Sequence, residues 1–341
     1  MRSLTAVLRA PSMFFVALSV TAVTSLASLT ACGAADEAGP SDAAAASDAP
    51  PLPSDAGAVA PTRDGGAASD AGSIVPSDAA ADAAADSSSL AGWTLTWSDE
   101  FNGADGTAID TAKWNQETGN SGWSNNLERQ YYTPGTANAV VQSGALVITA
   151  ASQGASQYTC QYGACQYTSA RFNTAKKFEQ AYGRFEARIE IPRGQGLWPA
   201  FWMLGNNLGT AGVGWPQCGE VDIMENVGKA PATNYGSLHG PGYSGGQALS
   251  GKYALDAGAL ADSFHVFAVE WEVSVVRFYV DGVLYETRTP ADVPAGHAWV
   301  YDHPFFVILN VAVGGNFPGD PDGTTHFPQT MKVDYVRVYK R

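Results

Sequence analysis

The sequence predicts an antiparallel all-β sandwich over residues 91–341, and three observations carry that prediction. All 9 Trp lie beyond Gly92, where Tyr, Phe and Val also become frequent, so only this part can bury a sizeable core. Its apolar residues recur in short alternating runs separated by turn residues, the signature of strands. No helical period extends over a dozen residues. Many strands without helices imply a sandwich or barrel, for which about 250 residues is an acceptable single domain.

Taken in order, the first clear strand is "ALVITA", residues 145–150. In "YGRFEARIEI" the apolar Phe185, Ala187 and Ile189 alternate with Arg184, Glu186, Arg188 and Glu190, giving one apolar and one charged face. In "WPAFWML" Trp198, Ala200 and Trp202 share a face. "FHVFAVEWE" and "VVRFYV" follow, and Asp281-Gly282 joins the latter to "VLYETR", a dipeptide that favours a type I′ hairpin turn. "FFVILNVAV" and "KVDYVRVY" complete the set. A polar strand face with interspersed aromatics suits sugars, whose C–H faces stack on rings while hydroxyls need charged and amide partners. Core packing is the commoner use of any one Trp taken alone.

The region before this domain has a different character. Residues 1–31 supply Arg2, Arg9 and an apolar stretch, and read as an export signal; a membrane helix is the competing reading, of marginal length and rich in Ser and Thr. Leu29-Thr30-Ala31-Cys32 resembles the bacterial lipoprotein box, in which the chain is cut before a cysteine that then carries lipid. Lipidation at Cys32, membrane attachment through it, and an exported lipoprotein or extracellular location are therefore expected. An ordinary secretory signal is the alternative. Residues 32–90 are rich in Ala, Asp, Ser and Pro, with "SDA" recurring irregularly at Ser41, Ser47, Ser54, Ser69 and Ser77. Such a segment cannot offset the entropy of ordering and is expected to be a disordered tether. It carries more than half of the net charge of −14, which argues only against a nucleic-acid partner. A monomer is expected.

Cys160 and Cys165 flank "QYGA" and are expected to close a small disulfide loop in an exported protein. Cys218 is left over beside carboxylates, which raise a thiol pKa instead of lowering it, so it reads as a packing residue.

The densest chemistry lies in "WPQCGEVDIMENVG", which places Glu220, Asp222 and Glu225 within one strand-like run. In a regular strand Glu220, Asp222 and Met224 point one way, and Glu225 would enter the core unpaired, which is too costly. One extra residue, a β-bulge between Asp222 and Glu225, returns Glu225 to the face of Glu220. The two Glu are then about four regular steps, roughly 13 Å, apart along the strand. Side chains of about 4 Å that lean together bring the carboxyl groups to about 5 Å, the separation used in retaining glycoside hydrolysis. Asp222 between them can hydrogen-bond and hold their ionisation states apart. An acidic calcium site or a solvated edge is the alternative.

With these flanks the domain resembles the family 16 glycoside hydrolases, in their laminarinase-like branch with a bulged E-x-D-x-x-E strand. The similarity covers essentially all of residues 92–341, including "WSDEFNG", "YGRFEARIEIPRGQGLWPAFWMLG", "LHGPGYSGG", "VILNVAVGGNFPG" and "FPQTMKVDYVRVY". It implies a β-jelly roll, concanavalin-like, with substrate in a concave cleft, and retaining endo-hydrolysis of a β-1,3-glucan with no cofactor for catalysis. It assigns Glu220 as nucleophile, Glu225 as general acid/base and Asp222 as assisting carboxylate. Asn126, Glu186, Arg188, Trp198, Trp202, Trp215 and His239 match positions lining the sugar subsites. Asn126 lies where one extra residue appears before Glu128, and Phe317 stands where the family has Trp. The resemblance further implies a structural calcium on Glu100, Asp334 and the backbone of Gly144.

Other readings compete. Gly242-Tyr243-Ser244-Gly245-Gly246 fits G-x-S-x-G, but that motif works only on a strand-to-helix elbow, and no βαβ pattern surrounds it. The 5 His show no zinc spacing. A non-catalytic glycan-binding module would be expected to lose at least one carboxylate. Mixed-linkage glucan, agarose or carrageenan are alternative substrates within the enzyme reading.

Overall fold

A computed structural model describes residues 90–120 and 126–341. The residues expected to form an export signal and an acidic tether, Cys32 among them, and the start of the "GWSNN" segment lie outside the described residues. In chain order the strands begin with β1 (Thr94–Asp99), β2 (Asn115–Glu117), β3 (Gln130–Tyr132), β4 (Ala139–Gln142), β5 (Ala145–Ala150), β6 (Thr159–Cys160) and β7 (Gly163–Ala164). There follow β8 (Tyr167–Ser169), β9 (Arg171–Asn173), β10 (Gly183–Glu190), β11 (Leu197–Gly205), β12 (Glu220–Glu225) and β13 (Thr233–His239). The last are β14 (Leu249–Ala254), β15 (His265–Glu272), β16 (Val275–Val280), β17 (Val283–Arg288), β18 (Phe305–Val313) and β19 (Gln329–Lys340).

Among the described residues two large antiparallel sheets result, beside the parallel pair β3–β8 and the hairpin β6–β7. An 8-stranded back sheet runs β17-β16-β15-β10-β19-β5-β4, with β1 added on β19; a 7-stranded cleft sheet runs β14-β13-β12-β11-β18-β9-β2. This is the β-sandwich that the alternating runs predicted. One core lies between the sheets: Phe185, Ala187 and Ile189 of β10 and Val336 and Val338 of β19 meet Phe201, Val221, Val307 and Leu309 of the cleft sheet. The apolar residues of β10 are those at every second position, as the pleat requires. The Asp281-Gly282 turn has φ of 50° and 77°, the left-handed pair that a type I′ turn needs.

Strand β18 explains a run that alternation alone leaves ambiguous. All 9 of its residues are buried. Val307, Leu309, Val311 and Val313 enter the core between the sheets. The opposite face is covered too: Phe306 and Ile308 form a second cluster with Leu204 and Cys218, while Asn310 and Ala312 line a cleft. Cys218 is thus a buried free thiol used for packing, pushed up to about 11 by burial and by the neighbouring Glu220. Cys160 and Cys165 are joined, with Cα atoms 5.0 Å apart, and close the β6–β7 hairpin.

Candidate active site

The expected bulge is present, and it is Ile223. On one side β12 pairs Trp202 with Asp222, Phe201 with Met224 and Ala200 with Glu225, so Ile223 has no opposite number. On the other side Asp222 faces Ser237 and Glu225 faces Tyr235, again three steps against two. Val221, Ile223 and Met224 all enter the core, leaving Glu220, Asp222 and Glu225 on the outer face. The Ile223 carbonyl, displaced from regular pairing, accepts Asn234 Nδ2 at 3.4 Å, and the same amide donates to Tyr285 Oη at 3.1 Å. A buried side-chain amide thereby answers part of the polar demand that the bulge creates.

The three carboxylates form one wall of a cleft of about 450 Å³. Strand β11 supplies Trp198, Ala200, Trp202 and Leu204, strand β18 supplies Asn310 and Ala312, and Asn126, Arg171 and Trp215 complete much of the rest. Each Trp presents its indole N–H to a polar group. Trp215 donates to Glu220 Oε2 at 2.9 Å, Trp198 to Glu225 Oε1 at 2.7 Å, and Trp202 to Asn310 Oδ1 at 2.7 Å. These bonds orient the rings as well as the carboxylates. The Arg171 guanidinium lies over the Trp202 ring, 4.8 Å from its centroid.

His239, on β13 opposite Glu220, completes the group. Its Nδ1 accepts the Gly245 N–H at 3.0 Å, which leaves the ring proton on Nε2. Nε2 lies 2.9 Å from Asp222 Oδ2 and 3.7 Å from Glu220 Oε1. The nearer approach is off the hydrogen-bond axis, so Asp222 Oδ2 has no aligned donor. Glu220, Asp222 and His239 offer atoms within 4.8 Å of one another, a grouping that could hold a metal ion. The Gly245 N–H argues against that use, because it keeps a proton on the nitrogen a metal would need. The G-x-S-x-G segment therefore serves as the loop that orients His239. It follows a strand end and contains only a short 3-10 turn, Gly245–Gln247, with no elbow for a nucleophilic serine.

Burial dominates the electrostatics. Glu220 is pushed up to about 8 by desolvation first and by the Asp222 charge second, against the pull of His239. Asp222 and Glu225 are also raised to about 8, again chiefly by desolvation, with the Asp222 charge adding to the shift of Glu225. Such a wall holds protons at neutral pH. It can keep one carboxyl protonated beside an ionised one, the condition for paired acid and nucleophile chemistry.

Two sets of expected residues fall elsewhere. Glu186 and Arg188 lie on β10 in the back sheet and do not line the cleft. Glu186 pairs with Arg184 at 2.7 Å and accepts Tyr339 Oη at 3.2 Å; Arg188 pairs with Asp334 at 2.8 Å. Their charged strand face is the outer face of the other sheet, whose ion pairs, and not sugar hydroxyls, satisfy it. The expected calcium ligands lie along the same back sheet. Strand β1 ends and strand β5 begins against β19 near Asp334, so Glu100, Gly144 and Asp334 do approach along the backbone. Both carboxylates, however, are held by arginines: Glu100 accepts two bonds from Arg337, at 3.0 and 2.9 Å, and Asp334 takes Arg188. Glu100 and one oxygen of Asp334 are thus engaged by guanidinium groups, and a cation on this set would share those carboxylates with Arg337 and Arg188.

Sequence reasoning missed Glu117, Glu128, Arg171 and Asn310, all of which line the cleft. Asn310 was legible as the one amide inside "FFVILNVAV". Arg171 and Glu117 were not, because their strands, β9 and β2, reach the cleft only through pairing with distant β18.

Comparison with known proteins bears on this site. The profile of Glycosyl hydrolases family 16 matches residues 102–337. The chain is 39% identical over 273 residues to glucan endo-1,3-beta-glucosidase A1 of Niallia circulans, covering 74% of this chain and 38% of that protein. It is 39% identical over 259 residues to a beta-glucanase of Rhodothermus marinus, covering 73% of this chain and 85% of that one. The solved catalytic domain of an endo-1,3-beta-glucanase (laminarinase) from Thermotoga petrophila superposes with a TM-score of 0.67 at 48% identity, covering 73% of this chain and 98% of the other. An endo-beta-1,3-glucanase from Pyrococcus furiosus gives 0.68 at 44%, covering 73% and 94%.

Proposed function

Because this chain belongs to glycosyl hydrolase family 16, we propose that its cleft cuts β-1,3-glucan chains internally, with retention of anomeric configuration. The observation that carries the reading is the Ile223 bulge, which sets Glu220, Asp222 and Glu225 on one wall while Val221, Ile223 and Met224 remain in the core.

The proposed roles follow from the surroundings of each group. Glu220 attacks the anomeric carbon. The Trp215 N–H on its Oε2 holds the carboxylate in place and favours its ionised form. Asp222 is almost wholly buried, at 2% exposure, and desolvation raises it to about 8 against a lowering hydrogen bond with Glu220, so the two share a proton at neutral pH. His239, whose Nδ1 accepts the Gly245 N–H, turns its Nε2 toward the Asp222–Glu220 pair. Glu225 protonates the leaving oxygen, and its raised pKa suits that task at neutral pH. After departure of the leaving chain it removes a proton from the water that releases the covalent glycosyl-enzyme. Two carboxylates supply both halves of the reaction, so no cofactor is required.

The substrate reading is supported by the laminarinases and endo-1,3-beta-glucanases among the relatives, and by Trp rings that offer faces for sugar stacking. Mixed-linkage β-1,3-1,4-glucan is a second expected substrate, in line with the similarity to a non-specific endo-beta-1,3(4)-glucanase at 34% identity and a TM-score of 0.65. The test is digestion of laminarin by wild type and by Glu220→Ala. A ladder of oligosaccharides early in the digest, absent with the variant, is expected. Glucose as the only early product, or cleavage of agarose without cleavage of laminarin, would overturn the assignment.

A further inference from the structure

The hairpin closed by Cys160–Cys165 takes no part in the chemistry above, yet its contacts lead to the rim of the cleft. At its tip the Tyr162 hydroxyl donates to the Arg129 carbonyl and accepts the Gln166 N–H at 3.1 Å. The Arg129 guanidinium lies over the Tyr162 ring, 5.3 Å from its centroid. Beside the tip, the Gln161 N–H donates to Asn120 Oδ1 at 3.1 Å, and buried Asn120 donates onward to the Gln130 carbonyl at 2.7 Å. The hairpin thereby grips the backbone at Arg129 and Gln130, a few residues after Asn126.

Arg129 then reaches a different loop. Its guanidinium donates twice to Asp320, at 3.1 and 2.9 Å. The loop of residues 314–320 is also fastened by Asn316 N–H to the Asn126 carbonyl at 2.8 Å and by Lys229 Nζ to the Phe317 carbonyl at 2.8 Å. A side chain at Gly314 would come within 2.6 Å of Arg129 Cγ, so glycine there permits the close approach. Phe317 meets Trp198 edge-on at 5.6 Å and Tyr235 at 5.3 Å, and Trp198 holds Glu225.

We propose that the Cys160–Cys165 hairpin and the Arg129–Asp320 pair form a brace that fixes the spacing of the Asn126 and Phe317 loops and thereby sets the affinity of the cleft for polymeric glucan. The inference rests on the glucan reading above. The side chains of Arg129 and Asp320 are 33% and 57% exposed, so the pair contributes little to global stability. A two-bond guanidinium–carboxylate contact nevertheless fixes direction as well as distance. Loops ordered in advance lose less freedom when an extended chain settles between them. Arg129, Asp320 and the two cysteines are positioning residues; none touches a reacting atom.

The test compares Arg129→Ala, the charge-swapped pair Arg129→Asp with Asp320→Arg, and Cys160→Ser with Cys165→Ser. Arg129→Ala is expected to raise KM for laminarin roughly threefold to fivefold, with kcat within about twofold and Tm unchanged. The swapped pair restores KM, and the double serine variant raises it at least as far as Arg129→Ala. Amide hydrogen exchange over residues 126–130 and 314–320 reads the brace without any substrate, and faster exchange in both loops of Arg129→Ala supports it. An unchanged KM, a rise that the swap does not reverse, or unchanged exchange in either loop overturns the brace. Wild type that releases no sugar from laminarin overturns the glucan reading instead, and the exchange measurement still decides the brace.

Discussion

The three carboxylates cost the fold something that their chemistry requires. In the unfolded chain Asp222 and Glu225 titrate near 3.8 and 4.5, whereas in the folded protein burial raises both to about 8. The folded state therefore binds protons more tightly than the unfolded state between these limits, and stability must fall as pH rises from about 4 to about 8. Glu225→Gln removes one such group without changing its shape. The variant is expected to melt above wild type at pH 8, with the gap closing towards pH 4, where both side chains are uncharged; turnover is lost throughout. Equal Tm values at the two pH extremes, or a variant less stable at pH 8, would show that Glu225 is not held protonated by its surroundings. The conflict behind this prediction was already legible in the sequence, because a third carboxylate at an odd position in a strand must break either the core or the alternation.

At the level of the strand, the bulge restores facing and leaves the spacing of the two Glu unchanged. Without Ile223 the pairs Trp202–Asp222, Phe201–Met224 and Ala200–Glu225 become consecutive on β11, and Ser237 to Tyr235 match Asp222 to Glu225 on β13. Deleting Ile223 is thus expected to give a regular strand with Glu220, Asp222 and Glu225 still outward. The variant should keep hydrolysis well above that of Glu225→Ala while losing about 2–5 kcal/mol for the missing core side chain. A folded deletion variant as inactive as Glu225→Ala would mean that the bulge places the carboxylate in a way facing alone does not describe. Element type was readable wherever one face was polar, as in β10. It was less so for β18, where the cleft floor buries the second face. Sheet membership was not readable: the Arg–Glu face of β10 looks the same in sequence whether it meets sugar or its own ion pairs, and only pairing with β15 and β19 places it in the back sheet.

Across the whole domain, the division of labour is between the sheets. The back sheet covers its outer face with ion pairs, of which Arg184–Glu186, Arg337–Glu100 and Arg188–Asp334 are examples, while the cleft sheet turns aromatic rings and carboxylates outward. The site draws on β2, β9, β11, β12 and β18 together with loops. Local sequence therefore revealed the part on β11 and β12, where the motif is contiguous, and not the part assembled by distant pairing. The central claim about the assembled cleft is that Glu220 and Glu225 work by double displacement, and the configuration of the first product reads it directly. Proton NMR of laminarin hydrolysis, recorded before mutarotation, is expected to show the β-anomer of the new reducing end first, with α appearing only as it equilibrates. The α-anomer as first product would contradict the retaining mechanism and the roles assigned to both residues.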